Sequence, residues 1–311
     1  MWYYFIKRLL IAVPTLLAVI TLSFFLMRLA PGGPFDQEAP LPPEILDNLR
    51  VAYGFDKPLI TQYLNYLINL LHGDFGPSFK YKDFTVTELI AQGFPISASN
   101  GFSALILAVG LGIPTGVIAA LNQNKKIDHL IMGFAMTGIV IPTFVIGPLL
   151  ALFFGIFLKD TMFALPVGGW DGGSLKNRIL PVICLSLPFI AYIARITRAS
   201  MIETMRSNYI RTAIAKGLPF YLVVIRHAFK SAMIPVVTFL GPATVALLTG
   251  SMVVETIFGL PGIGRYFVQG ALNRDYTLVM GVTILAAFLV VIITLLVDMI
   301  YAWLDPKMRY E

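Results

Sequence analysis

The chain has 311 residues, 57% of them hydrophobic and 13% charged, with a mean hydropathy of +0.80; a soluble domain has about half its residues apolar and about a quarter charged, so this composition excludes one and describes a polytopic helical membrane protein. The net charge of +6 is spread around apolar stretches, which fits the orientation rule for membrane loops and not a nucleic-acid footprint. The single cysteine, Cys184, excludes an intramolecular disulfide and leaves the redox compartment open.

Lys7 and Arg8 precede an apolar run from Leu9 to Leu29, enough helix for a hydrocarbon core about 30 Å thick. Pro31-Gly32-Gly33-Pro34 is a turn without a small-residue cleavage site, so the run reads as an uncleaved first span, residues 1–30. Residues 31–95 are too polar to span and carry helix signals. Pro43 and Glu44 open one helix, with Ile45, Leu49, Ala52 and Tyr53 on one face and Gly54 at its end. Asp56 and Pro58 open another, rich in Leu, Ile and Tyr and ending at His72-Gly73, that rests on protein or bilayer surface. Thr85 with Glu88 makes a capping box for a third, expected to end before Gly93. Gly73-Asp74-Phe75-Gly76-Pro77-Ser78 is a turn cluster between them.

A five-helix core is expected over 96–304. Its first span, about Ile96 to Leu121, holds Gly112 and Gly116 at a spacing that either admits a neighbouring helix or adds local flexibility. After a short loop with Lys125 and Lys126, the run from Leu130 to Leu158 contains Pro142 and Pro148, which predict a kink or break. Trp170, inside Gly168-Gly169-Trp170-Asp171-Gly172-Gly173, reads as an interfacial anchor. Ile179 to Ala194 is the next span.

The interval 195–235 is strongly basic, with Arg195, Arg198, Arg206, Arg211, Lys216, Arg226 and Lys230 against Glu203 alone. A compact helix lies inside it: Ser207 is a plausible N-cap, Gly217 stands where a left-handed residue ends a helix, and Pro219 forbids continuation. Ile210, Ala213, Ile214 and Gly217 fall on one face, and Asn208, Arg211, Thr212 and Lys216 towards the other. A short amphipathic helix between two spans suits a groove on a soluble partner. Topology alone is the competing explanation of its charge.

The fifth span runs from about Pro235 to Glu255, before a glycine-rich re-entry at Phe258 to Gly264; the sixth, Thr277 to Leu304, leads into a tail at 305–311. Glu255 either lines a translocation path or pairs with Arg265 or Arg274. Six spans put both termini on one side, with Lys125, Lys126, the basic interval, Lys307 and Arg309 on that side. Basic loops stay cytoplasmic, so both termini are expected there. His72, His129 and His227 show no metal-ligand spacing, and no phosphate loop, H-E-x-x-H helix or G-x-S-x-G elbow occurs, so neither a metal, a cofactor nor an enzymatic role is expected.

Arg211-Thr212-Ala213, Ala215-Lys216-Gly217 and Ile234-Pro235 together resemble the Glu-Ala-Ala loop of ABC importer permeases, departing from it where Arg211 replaces Glu and where Pro follows Ile234 directly. The peptide-importing branch carries such an Arg-Thr-Ala form. The Gly73 to Ser78 stretch and the runs Thr249 to Phe258, Pro261 to Gly264 and Asn273 to Tyr276 are similar to the same branch. The resemblance implies an all-α integral membrane fold of six transmembrane helices with a large periplasmic first loop containing short helices, in a bacterial inner membrane. It also implies a path for oligopeptides, a second permease subunit, two cytoplasmic ATPase subunits and an extracytoplasmic peptide-binding protein. Arg211, Thr212, Ala213, Lys216 and Gly217 would couple to the ATPases. Dipeptide, murein peptide or nickel import remains open as the substrate, and a secondary transporter is the rival class, disfavoured by the scarcity of charge within the spans.

Overall fold

The computed structural model describes residues 2–29, 43–52, 54–81 and 83–304; the Pro31 to Pro34 turn, Tyr53 and the 305–311 tail lie outside them. Helix α1 (Trp2–Leu29) is the first span and packs on α14 (Tyr276–Leu304), the last. Between α1 and the core lie α2 (Pro43–Ala52), which ends at Gly54 with φ +68°, and α3 (Leu59–Leu71).

Thr85 caps α4 (Val86–Leu121) through the expected reciprocal pair with Glu88, but the helix does not stop before Gly93. Gly93 serves close approach instead: a Cβ there would sit 2.9 Å from the Tyr266 ring and 3.2 Å from the Ile263 amide nitrogen. The capped helix and the expected span are therefore one element of 36 residues.

The next span is broken. α5 (Lys126–Val140) and α6 (Thr143–Leu152), the latter prolonged by a π-helical turn at Phe153–Phe157, meet at 104°. Pro142 has no N–H to continue the ladder and forces Ile141 into extended backbone (φ −90°, ψ +119°). The bend far exceeds an ordinary proline kink. α7 (Leu175–Met205) carries the fourth span well past Ala194, so residues 195–205 of the expected loop are helix.

Then come α8 (Asn208–Ala215), α9 (Phe220–Leu222), a π-helical stretch at Val223–Ala228, α10 (Phe229–Ala232) and α11 (Ile234–Leu248). Gly250, with φ +81°, separates α11 from α12 (Met252–Ile257), which Ser251 caps. The re-entry after Glu255 contains a helix that periodicity did not reveal, α13 (Ile263–Leu272). Among the described residues, five helical segments are long and apolar enough to cross a membrane, six if the bent pair counts as one span. Among the described residues the only β pairing is a bridge between Pro77 and Thr85.

α4 and α7 run parallel and form the central seam, Arg178 meeting Asn100 at one end and Arg206 meeting Gln123 at the other. The Gly112 and Gly116 spacing is a helix contact: a Cβ at Gly112 would lie 2.8 Å from Ile193, and one at Gly116 2.5 Å from the Ala194 carbonyl. Dispersion between closely packed backbones does in lipid what the hydrophobic effect does in water.

Candidate functional site

α8 is built by its ends and its underside. Met205 ends α7, and the Arg206 and Ser207 amides close a turn onto Glu203 and Thr204. Ser207 occupies the N-cap position, but its hydroxyl is buried and makes no capping bond. The far end is as expected: Gly217 adopts φ +78°, its N–H donates to Ile214 O at 2.9 Å and the Leu218 N–H to Ala213 O at 3.4 Å. That pair of bonds is a Schellman ending, which needs a left-handed residue where glycine stands.

The expected apolar face divides. Ile210 and Ala213 are buried, whereas Ile214 is 49% exposed and Gly217 lies on the surface. Of the five residues assigned to coupling, Arg211, Thr212, Lys216 and Gly217 face outward, and Ala213 seats the helix on its own chain. Tyr209, Leu218, Phe220 and Tyr221 are also exposed, so the segment 209–221 presents apolar side chains as well as Arg211 and Lys216 on its surface. Sequence reading overlooked these apolar side chains; their aromatic content beside a helix end was the available signal.

Beneath α8, Ile210 and Ala213 join one buried cluster with Met201 and Ile193 of α7, Ala120 and Ala108 of α4, Val223, Val224 and Ala228 of the π-helical stretch, and Val236 of α11. This dry core connects the surface helix to the interior of three spans. A charged clamp stiffens its edge. Arg198 Nε and Nη2 donate to Asp128 at 2.6 and 2.7 Å, Asp128 also accepts the Asn124 N–H at 2.9 Å, and Arg206 donates to Gln123 at 3.1 Å. The turn between α4 and α5 is thereby tied to α7.

Glu255 lies at the opposite end, in neither pairing the sequence suggested. Its carboxylate accepts from Ser97 Oγ at 2.5 Å and from the Arg265 backbone N–H at 2.9 Å, not from the guanidinium of Arg265 or Arg274. Gly250, Gly262 and Gly264 crowd around it, and a Cβ on Gly250 or Gly262 would come within 2.4 Å of the carboxyl group. Absent side chains bring backbone amides to the carboxylate, an arrangement a distant guanidinium would not improve. Nearby, Asp275 is fully buried, caps α14 at the Leu278 N–H (3.2 Å) and accepts from Ser78 Oγ (2.5 Å) and the Lys80 N–H (3.1 Å). The Gly73 to Ser78 turn and the Asn273 to Tyr276 run are thus one tertiary unit. Trp170 packs on the adjacent core beneath the Arg178 guanidinium, 5.9 Å from its ring.

A glycine-seamed bundle of apolar spans with a short amphipathic helix between two of them defines a polytopic membrane protein. Residues 112–310 match the family described as binding-protein-dependent transport system inner membrane component, and residues 1–100 match the N-terminal family of such membrane components. The chain belongs to this family and is a multi-pass membrane protein. It is 57% identical over 307 residues, 99% of both chains, to the oligopeptide transport system permease protein OppB of Salmonella typhimurium. To the dipeptide transport system permease protein DppB of Bacillus subtilis it is 40% identical, over 98% of this chain and 97% of that one. A solved structure of the MetNI methionine ABC transporter shares the fold, with a TM-score of 0.55 at 17% identity over 70% of this chain and 96% of that one.

Proposed function

We propose that this chain is a permease subunit of an ATP-driven oligopeptide importer, forming the translocation path with a second permease subunit and receiving the ATPase stroke through α8. The single observation that supports this most is the seating of α8: its underside belongs to the core of three spans, and its outer side presents Arg211, Thr212 and Lys216, with exposed aromatic residues in the same segment. A helix held this way moves the spans when it is pushed. The higher identity to the oligopeptide than to the dipeptide permease favours the longer substrate. Two cytoplasmic ATPases and an extracytoplasmic peptide-binding protein complete the assembly, with the α8 end and both termini in the cytoplasm, as the distribution of Lys and Arg supports. On this reading the chain is not itself an enzyme. Glu255 is a structural clasp, its burial among backbone amides favouring that role over the lining of an open path.

Reversing charge at Arg211 and Lys216 together, to Glu, tests the contact. The two positions are exposed, so the permease pair should still assemble. The ATPases should co-purify in reduced yield, most clearly at low salt, because high salt screens the repulsion the exposed Glu side chains introduce. Undiminished ATPase retention and uptake would refute the assignment of these residues.

A further inference from the structure

We infer that α3 is a lipid-bound helix lying in the interface of one leaflet, with three faces turned to three environments. Only the choice of the extracytoplasmic leaflet rests on the orientation proposed above. The helix has 13 residues, about 20 Å of length, too little to cross the bilayer.

The first face is docked on α1. Tyr63 OH hydrogen-bonds Thr21 Oγ1 at 2.6 Å, its ring lies 5.4 Å from Phe24 and 5.5 Å from Phe25, and Tyr66 lies 5.9 Å from Phe24. Gln62 accepts from Arg28 Nε at 3.0 Å. These contacts fix the depth of α3. Phe24 and Phe25 stand four to five residues before the end of α1 at Leu29, about 6 to 8 Å inside it at 1.5 Å per residue. An interfacial helix buries its apolar face about 5 to 10 Å into the boundary between headgroups and acyl chains.

The second face is apolar and uncovered: Ile60, Leu64, Ile68 and Leu71 are 59%, 51%, 53% and 86% exposed. They recur at the helical period, to one side of the docked face. The third face is polar, made of Thr61, Asn65 and Asn69, with the latter two exposed. No charged residue occurs from Leu59 to Leu71, while Asp56, Lys57 and Asp74 flank the helix at its two ends. A helix docked on protein alone needs no second apolar stripe, and a water-exposed one would not keep it. The stripe is continuous in kind with the outer surface of α1, where Leu22, Leu26 and Leu29 are exposed at the same level. That surface belongs to a membrane span, so the occupant is lipid.

The test is spin-label accessibility in the assembled complex, reconstituted in phospholipid nanodiscs, with buried Cys184 replaced by Ala. Single cysteines replace Ile60, Leu64 and Ile68, and separately Thr61, Asn65 and Asn69. Labels at the first three sites should collide often with oxygen and rarely with a water-soluble nickel chelate, and labels at the others should show the reverse. Nickel access at Ile60, Leu64 and Ile68 would mean water against the stripe and overturn the inference. Low access to both reagents would mean a protein partner there and overturn it equally. Because the readout is collision and not transport, it stands or falls apart from the substrate and coupling assignments.

Discussion

The two ends of the bundle are held by different kinds of bond. At the α8 end, helix start and stop are local: Gly217 and Pro219 terminate eight helical residues, and only Ile210 and Ala213 reach into the core. At the opposite end two buried carboxylates join segments far apart in the chain, Glu255 to Ser97 and Asp275 to Ser78. The first arrangement leaves an exposed element supported from beneath. The second buries both carboxylates and locks α4, α12, α13 and α14 together. A permease that transmits force needs both: one end free to be gripped, the other resistant to being pulled apart.

If that contrast is right, the largest loss of stability follows from opening the clasp. Glu255→Ala strands the Ser97 hydroxyl and the Arg265 amide in a buried site, which should cost about 3 kcal/mol, the upper part of the range for breaking a buried polar network. The purified complex should melt at clearly lower temperature, with Glu255→Gln in between because its amide oxygen still accepts. Unchanged melting of Glu255→Ala would erase the distinction between the two ends.

Asp275→Ala comes next. It removes the α14 cap and the tie to Ser78, and losing a helix cap costs about 1 to 2 kcal/mol. Proteolysis within the segment 73–85 should accelerate, and Asp275→Asn, which keeps one acceptor oxygen, should restore most of the protection. Equal cleavage of Asp275→Ala and the unmutated chain would show that the turn is held by its own backbone.

The α8 end was legible in sequence for the same reason that it is locally determined. A glycine before a proline, at the end of a short amphipathic run, carries its own geometry. Six apolar spans and the weak point at Pro142 were readable likewise, though not the 104° of the bend. The clasp was not legible, because the clues to it are glycines. Gly262 and Gly264 looked like turn residues and Gly250 stood inside an apolar run, and only the fold reveals that their missing side chains make room for Glu255. Gly93 misled in the same way, read as a helix end when it admits Tyr266. The burial of Ala213 against the exposure of Ile214 depended on how α8 rolls on its core, which an eight-residue periodicity does not determine.

The smallest structural change should separate transmission from stability most cleanly. A Cβ at Gly217 meets no atom within 4 Å, so Gly217→Val acts through backbone conformation alone, at a cost of about 1 to 2 kcal/mol for a left-handed residue. The decisive measurement is ATP hydrolysis by the reconstituted complex carrying this substitution, with and without the peptide-loaded capture protein, alongside its melting temperature. The expected result is an assembled complex with nearly unmutated melting, in which stimulation of hydrolysis by the capture protein, and peptide uptake with it, is lost. Stimulated hydrolysis and uptake at the unmutated level would contradict it and leave the basic interval around α8 with no role beyond setting topology.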